Sequence, residues 1–205
     1  MFKKIFSELF DNRCISCETR TNFNTIICDD CIQTVKNPTI TDGVFNTYHM
    51  TYYDEKMKKI IRKYKYGNFT KISKYLAEMI MDLLIYYKLD VENYKVTSVP
   101  SNYISYINRG FTPAELIAKE FSKLSGLEYI KLYKSLTLKK QASLGHHQRS
   151  DNVHKKIKLT KSVPEYIIII DDVYTTGASM NECYKLIKDQ VKNVYGMTVS
   201  KAHRN

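Results

Sequence analysis

No apolar run in the chain approaches the ~20 residues that a membrane-spanning helix needs, so the sequence predicts no transmembrane segment. The charged opening MFKKIFSELFDNR has no continuous apolar core of the kind a secretory signal carries, and a cytoplasmic location is the expectation. There are no internal repeats and no low-complexity segment, which sets aside repeat arrays. Acidic residues are the scarcer charge: 21 Asp and Glu stand against 32 Lys and Arg, for a formal net charge of +11. That balance favours polyanionic partners, nucleic acid or phosphorylated metabolites. What remains is ordinary for a soluble domain, with 43% hydrophobic and 26% charged residues in 205, enough for one α/β core and a small appendage.

The basic excess is uneven. Lys56 to Lys65 holds six Lys or Arg and no acid, and Lys131 to Lys161 holds nine against one acid, Asp151. Two readings stand side by side: a solubilising charge excess, or surfaces that bind phosphate or nucleic acid. Tyr64, Tyr66 and Tyr133 interleave with the clusters, and tyrosine rings stack on bases while lysines follow a phosphate backbone. The candidate nucleic-acid contacts are Lys56, Lys59, Arg62, Lys63, Lys155 and Lys156.

Four of the five cysteines form Cys14-x2-Cys17-x10-Cys28-x2-Cys31. Two such knuckles suit a tetrahedral Zn²⁺, because each turn points two thiolates at one ion. Disulfides are the alternative, and the missing secretory signal counts against them. Four thiolates leave no open coordination position, so the ion would be structural, letting about 40 residues fold without a real core. Cys183 lies on an apolar helical stripe and reads as a small core residue.

Residues 1–43 are thus expected to form a zinc-finger domain and linker, with Val35 to Gly43 as the linker, and residues 44–205 a second domain. Val44 to Tyr53 reads as a strand. A helix follows, with Asp54 as N-cap, Met57, Ile60, Ile61 and Tyr64 as its apolar stripe and Gly67 at its end. A second helix spans Lys71 to Lys88. Lys95 to Pro100 is a short strand, SNYISYINRGF a loop, and Thr112-Pro113-Ala114-Glu115 a capping box opening a helix that runs to Gly126. A strand is expected near Glu128 to Leu132. EYIIIIDD has the continuous apolar run of a buried central strand, and it is followed by a helix and a closing strand, NVYGMTVSKA. Alternating strands and helices predict a mostly parallel, doubly wound sheet.

Asp171 and Asp172 fall at the carboxyl end of that strand, where open parallel sheets bind ligands. After them comes the turn TTGAS. Thr175, Thr176 and Ser179 bring hydroxyls, and Gly177 allows close backbone approach at a helix N-terminus, which together make a phosphate cradle. Carboxylates beside a phosphate repel it, so the pair makes sense on the hydroxyls of an attached sugar or on a cation bridging to it. The bland alternative is that Asp172 caps the following helix or that the pair faces solvent.

IIIIDDVYTTGAS resembles the phosphoribosyl-pyrophosphate (PRPP) motif of type I phosphoribosyltransferases. With the cysteine knuckles, YDEKMKKIIRKYKYGN, SVPSNYISYINRGFTPAELIA and KKQASLGHHQRSDNV in this order, nearly the whole chain is similar to the ComF/ComFC family of competence proteins, associated with DNA uptake in bacteria. The resemblance implies a type I phosphoribosyltransferase fold, an α/β domain behind a small N-terminal four-cysteine zinc-binding domain. It implies that Asp171 and Asp172 hold the ribose hydroxyls, and that Val173, Tyr174, Thr175, Thr176, Gly177, Ala178 and Ser179 form the 5-phosphate loop. Pro100, Ser101, Asn102 and Arg109 would form the pyrophosphate loop, and Lys139, Lys140, Gln141, His146 and Arg149 would lie in the mobile catalytic loop. Where family members carry basic residues ahead of RGF, this chain has Tyr103, Ile104, Ser105 and Tyr106, and RGFNQ is replaced by Arg109-Gly110-Phe111-Thr112-Pro113.

The implied reaction breaks the bond from ribose to pyrophosphate, with Mg²⁺ bound alongside PRPP and with Lys140 or Arg109 countering leaving-group charge. The implied roles are PRPP-dependent phosphoribosyl transfer in natural transformation, with single-stranded DNA binding and contact with uptake machinery at the inner membrane. A non-catalytic PRPP-sensing DNA-binding module, or a nucleobase-salvage enzyme, are the alternatives. The acceptor is not legible from one chain.

Overall fold

The computed structural model describes residues 12–22, 25–67, 69–101, 103–136 and 157–203. In order, these form helix α1 (Asp29–Val35), strands β1 (Thr39–Thr41) and β2 (Thr47–Tyr52), helices α2 (Glu55–Tyr66) and α3 (Ile72–Tyr86), and strand β3 (Lys95–Ser98). Helices α4 (Tyr103–Arg109) and α5 (Pro113–Ser125) follow, then strands β4 (Tyr133–Ser135), β5 (Ile157–Leu159) and β6 (Tyr166–Tyr174), helix α6 (Ala178–Lys185) and strand β7 (Asn193–Lys201). A five-stranded sheet runs in the order β1-β2-β7-β6-β3, and β4 pairs with β5 apart from it. The β2–β7, β7–β6 and β6–β3 pairs are parallel and only the edge strand β1 is antiparallel. The expected mostly parallel, doubly wound sheet is therefore present.

The isoleucine run explains why β6 is central. Ile167, Ile168, Ile169 and Ile170 are all fully buried, and strand alternation sends them to opposite faces. Ile168 and Ile170 join Ile60, Ile61, Leu76, Ile80, Ile117 and Phe121 on the face covered by α2, α3 and α5. Ile167 and Ile169 pack with Met180, Cys183 and Ile187 behind α6, together with Leu132 and Tyr133. Each such side chain contributes about 1.5–3 kcal/mol by burial. Cys183 is thus the core residue the sequence predicts.

The segment from Val35 to Gly43, expected as a linker, includes the end of α1 and all of β1, whose Thr39–Thr41 pairs with Thr47–His49. Cys14, Ile27, Cys31 and Val35 share one core with α2, α3 and α5, so the cysteine segment packs on a core larger than its own. The stretch after Pro100 is not a loop: Tyr103–Arg109 is helical. At α5, Pro113 occupies the first turn but Thr112 makes no side-chain cap bond. Glu115 instead forms ion pairs with Lys119 at 2.8 Å and Lys131 at 3.0 Å, so two lysines outcompete the capping box. The strand expected at Glu128–Leu132 is reduced to a bridge between Val96 and Tyr129, and the ladder forms further on, at Tyr133–Ser135 with Ile157–Leu159.

A polar island lies inside the sheet. His49, fully buried, has Nδ1 2.7 Å from the Thr198 hydroxyl and Nε2 2.8 Å from the Thr41 hydroxyl. Thr198 donates to the Ser200 carbonyl, which leaves its oxygen to accept from His49 Nδ1. Burial, with the Lys201 charge as a smaller cause, holds His49 down to about 3.

Candidate functional site

Strand β3 makes its last bond to β6 at Val99, whose amide donates to the Ile170 carbonyl at 2.9 Å. Pro100 has no amide hydrogen to continue the ladder. β6 runs on to Tyr174 with only β7 beside it, so a crevice opens along Asp171 and Asp172. Both aspartates are therefore inside the strand, ahead of the glycine turn. The crevice is a cavity of about 320 Å³ walled by Lys65, Pro100, Ser101, Ser105, Arg109, Asp171, Asp172, Val173, Thr175 and Ser179, among others. A concavity of about 40 Å³ adjoins it, formed by Asp171 and the residues from Val173 to Met180.

The glycine turn is built for close approach. Gly177 has φ +77, and a Cβ there would strike the Tyr174 ring, with Cζ 2.6 Å away and Oη nearer still. Tyr174 is fixed from behind by His49, whose ring centroid lies 4.8 Å from its own. α6 begins directly after Gly177, so the cradle faces the positive end of an eight-residue helix. The Ala178 amide donates to the Thr176 hydroxyl at 3.3 Å, which keeps the exposed turn compact.

The carboxylates differ from each other. Asp171 accepts the Asp172 amide at 2.9 Å. Asp172, only 7% exposed, receives Lys65 Nζ on both oxygens, at 2.9 Å and 2.8 Å. Lys65 is the site residue that sequence reasoning misses. In the sequence it is one more α2 charge, because its partner lies 107 residues away and no local pattern marks it. The last turn of α2 is anchored beside it: Tyr64 donates to the Pro113 carbonyl at 2.8 Å, and Arg109 lies over the Tyr66 ring at 5.1 Å. Pro100, Ser101 and Arg109 thus share one cavity with the acidic pair and with Thr175 and Ser179. Asn102, Lys139, Lys140, Gln141, His146, Arg149, Lys155 and Lys156 lie outside the described residues.

Asp171 and Asp172 are the cavity's carboxylates, groups whose chemistry could take a hard divalent cation or sugar hydroxyls. On α2, Lys56, Lys59, Arg62 and Lys63 are exposed, opposite the buried Met57, Ile60, Ile61 and Tyr64. The helix starts at Asp54, whose carboxylate accepts the Met57 amide at 2.8 Å.

The thiols of Cys14, Cys17, Cys28 and Cys31 all lie within 4.8 Å of one another, and those of Cys17 and Cys28 are 3.7 Å apart. Thiolates about 2.3 Å from a central tetrahedral ion would stand about 3.8 Å apart, so the cluster is placed to hold a metal ion. No disulfide joins the described cysteines. Backbone amides of Ser16 and Cys28 donate to Cys14 Sγ at 3.4 Å each, the usual support of a knuckle thiolate. The Thr19 side chain and backbone bring Cys17 down to about 6. Among the described residues, no helix is long and apolar enough to cross a membrane.

Fold and site together define a mostly parallel α/β domain with an acidic pair and a glycine turn at its strand ends, joined to an N-terminal four-cysteine cluster. By sequence the chain is similar to Competence protein ComFC of Streptococcus pneumoniae, at 27% identity over 189 residues, covering 90% of this chain and 78% of that protein. No protein-family model matches the chain. Among solved structures it is similar to an adenine phosphoribosyltransferase of Thermoanaerobacter pseudethanolicus, at 10% identity and a TM-score of 0.42, covering 84% of this chain and 87% of that one. A second adenine phosphoribosyltransferase structure gives 13% identity and the same TM-score, 0.42, over 82% and 89%.

Proposed function

We propose that the crevice is a PRPP site and that the protein is a phosphoribosyltransferase of natural transformation, with Zn²⁺ in the cysteine cluster of residues 1–43 and the chemistry in residues 44–205. The observation that carries this reading is the single cavity shared by Asp171, Asp172, Thr175, Ser179, Pro100, Ser101 and Arg109. Its dimensions and polarity suit a phosphorylated sugar gripped at both ends. The carboxylates accept the ribose hydroxyls, and the amides and hydroxyls from Val173 to Ser179 take the 5-phosphate. Ser101 and Arg109 face the pyrophosphate. If Mg²⁺ binds with the donor, Asp171 and Asp172 are the residues that would hold it, and it would supply charge neutralisation toward the leaving group.

The residues lining the pocket support this reaction class. Carboxylates near the ribose ring stabilise the positive charge that builds as the bond to pyrophosphate stretches. Arg109 counters the charge arriving on pyrophosphate, and Lys140 joins it. No covalent nucleophile is required, so positioning and electrostatics supply the acceleration. A nitrogenous group is the acceptor class this reading takes. The assay is PRPP-dependent pyrophosphate release in the presence of candidate bases and of single-stranded DNA. Release by wild type and its loss in Asp171→Asn/Asp172→Asn is expected, and no release with any acceptor would contradict transfer.

A second reading rests on the α2 face. Lys56, Lys59, Arg62 and Lys63 are exposed, and among the described residues none of the four makes an ion pair. A cationic helix face of this kind suits single-stranded DNA, with PRPP as a sensed ligand or as the donor to a DNA-delivered acceptor. In that setting the protein works in the cytoplasm beside uptake machinery at the inner membrane. Normal DNA binding by the double aspartate variant would separate the two functions.

A further inference from the structure

We propose that Lys65 is an exchangeable cation of the acidic pocket: it holds Asp172 until a ligand enters, then turns to the ligand's anionic groups while Asp172 takes the sugar or the metal. The inference rests on the PRPP reading and extends it to a residue from outside the strand ends. Lys65 Nζ contacts both Asp172 oxygens, at 2.9 and 2.8 Å, and its side chain is 20% exposed against 10% for Asp172. Any cation or hydroxyl that reaches Asp172 must therefore share or displace this ammonium.

Charge decides the direction of the exchange. The described ionisable groups of the cavity are Lys65, Arg109, Asp171 and Asp172, two of each sign. A divalent cation on the aspartates would meet the Lys65 charge at contact distance and be opposed by it. A pyrophosphate group brings negative charge that Lys65 attracts. A lysine reorients readily, its four-carbon stem carrying a compact point charge with free rotation. The backbone beneath it stays fixed, because Tyr64 is bonded to the Pro113 carbonyl and Tyr66 packs under Arg109.

The two probes must then respond oppositely to one substitution. In Lys65→Met, Mn²⁺ alone should bind about tenfold more tightly than in wild type, and pyrophosphate alone about tenfold more weakly, from loss of one close charge partner. Lys65→Arg retains the charge and should keep pyrophosphate affinity near that of wild type. A purely structural ion pair would weaken both probes or neither, and either result overturns the proposal. So does failure of wild type to bind either probe. If wild type binds Mg²⁺–PRPP but Lys65→Met leaves both probes unchanged, the Lys65 inference alone falls. If wild type does not bind Mg²⁺–PRPP, the PRPP reading falls, and this inference with it. Thermal unfolding of each variant, measured in parallel, shows that the pocket is folded.

Discussion

The cysteine cluster and the acidic crevice are both built around charge, yet they are assembled in opposite ways. The cluster takes all four thiols from Cys14 to Cys31, and tight turns supply most of its geometry. The crevice gathers Lys65, the turn after β3, α4 and the end of β6, so its shape exists only when the sheet and the helices on it are in place. A closed set of thiolates stabilises a fold; an open set of carboxylates, amides and cations leaves room for a ligand. The two regions should therefore fail differently when broken.

The largest effect is expected at the cluster. Chelation of zinc, or Cys14→Ser, should unfold the segment around the knuckles, since structural zinc sites contribute about 10–16 kcal/mol of apparent binding free energy. Limited proteolysis and metal analysis read this directly. PRPP binding should persist, because none of the described residues between 12 and 35 walls the cavity. An N-terminus untouched by chelators would overturn the zinc assignment.

Next comes the glycine turn. Gly177→Ala meets both a left-handed φ and the Tyr174 ring, and should cost about 1–3 kcal/mol with loss of phosphate affinity. Gly126, also left-handed but with open space around it, should cost only about 1 kcal/mol as Gly126→Ala and leave ligand binding intact. Equal losses in the two variants would show that strain alone, not the ring contact, sets the turn.

The sheet beneath the crevice gives a pH test. His49 is neutral in the fold and held down to about 3, whereas an unfolded histidine titrates near 6.5. The unfolded chain then binds the extra proton first as pH falls. Stability is complete above about 6.5 and declines toward 3 by up to about 1.4 kcal/mol per pH unit. Denaturant unfolding from pH 7 to 4 should show this slope in wild type and a shallower one in His49→Gln. Identical slopes would place the acid sensitivity elsewhere.

The smallest structural effect is expected on α2. Replacing Lys56, Lys59, Arg62 and Lys63 with alanine should change stability by about 0.5 kcal/mol or less per site. The same change should flatten the salt dependence of single-stranded DNA binding, by about 0.7 in log–log slope for each phosphate no longer neutralised. An unchanged slope would remove this face from any DNA site.

The same contrast explains what is legible in the sequence. The knuckle spacing, the isoleucine run and the aspartate pair are local patterns, and each predicts its element without knowledge of the rest. The α2 stripe and its Asp54 cap are equally readable. Three features are not. Lys65 is invisible because its charge partner lies far along the chain. Glu115 reads as a capping residue because Lys119 and Lys131, which capture it, come from its own next turn and from a separate segment. β1 hides among turn residues because its pairing with β2, not its propensity, makes it a strand.

The central claim is that the crevice binds PRPP. Calorimetric titration of PRPP with Mg²⁺ into wild type and into Asp171→Asn/Asp172→Asn tests it most directly. Binding by wild type and none by the double variant is the predicted result. A wild-type protein that gives no binding heat across a range of temperatures would contradict the claim and leave the acidic pair as scaffold.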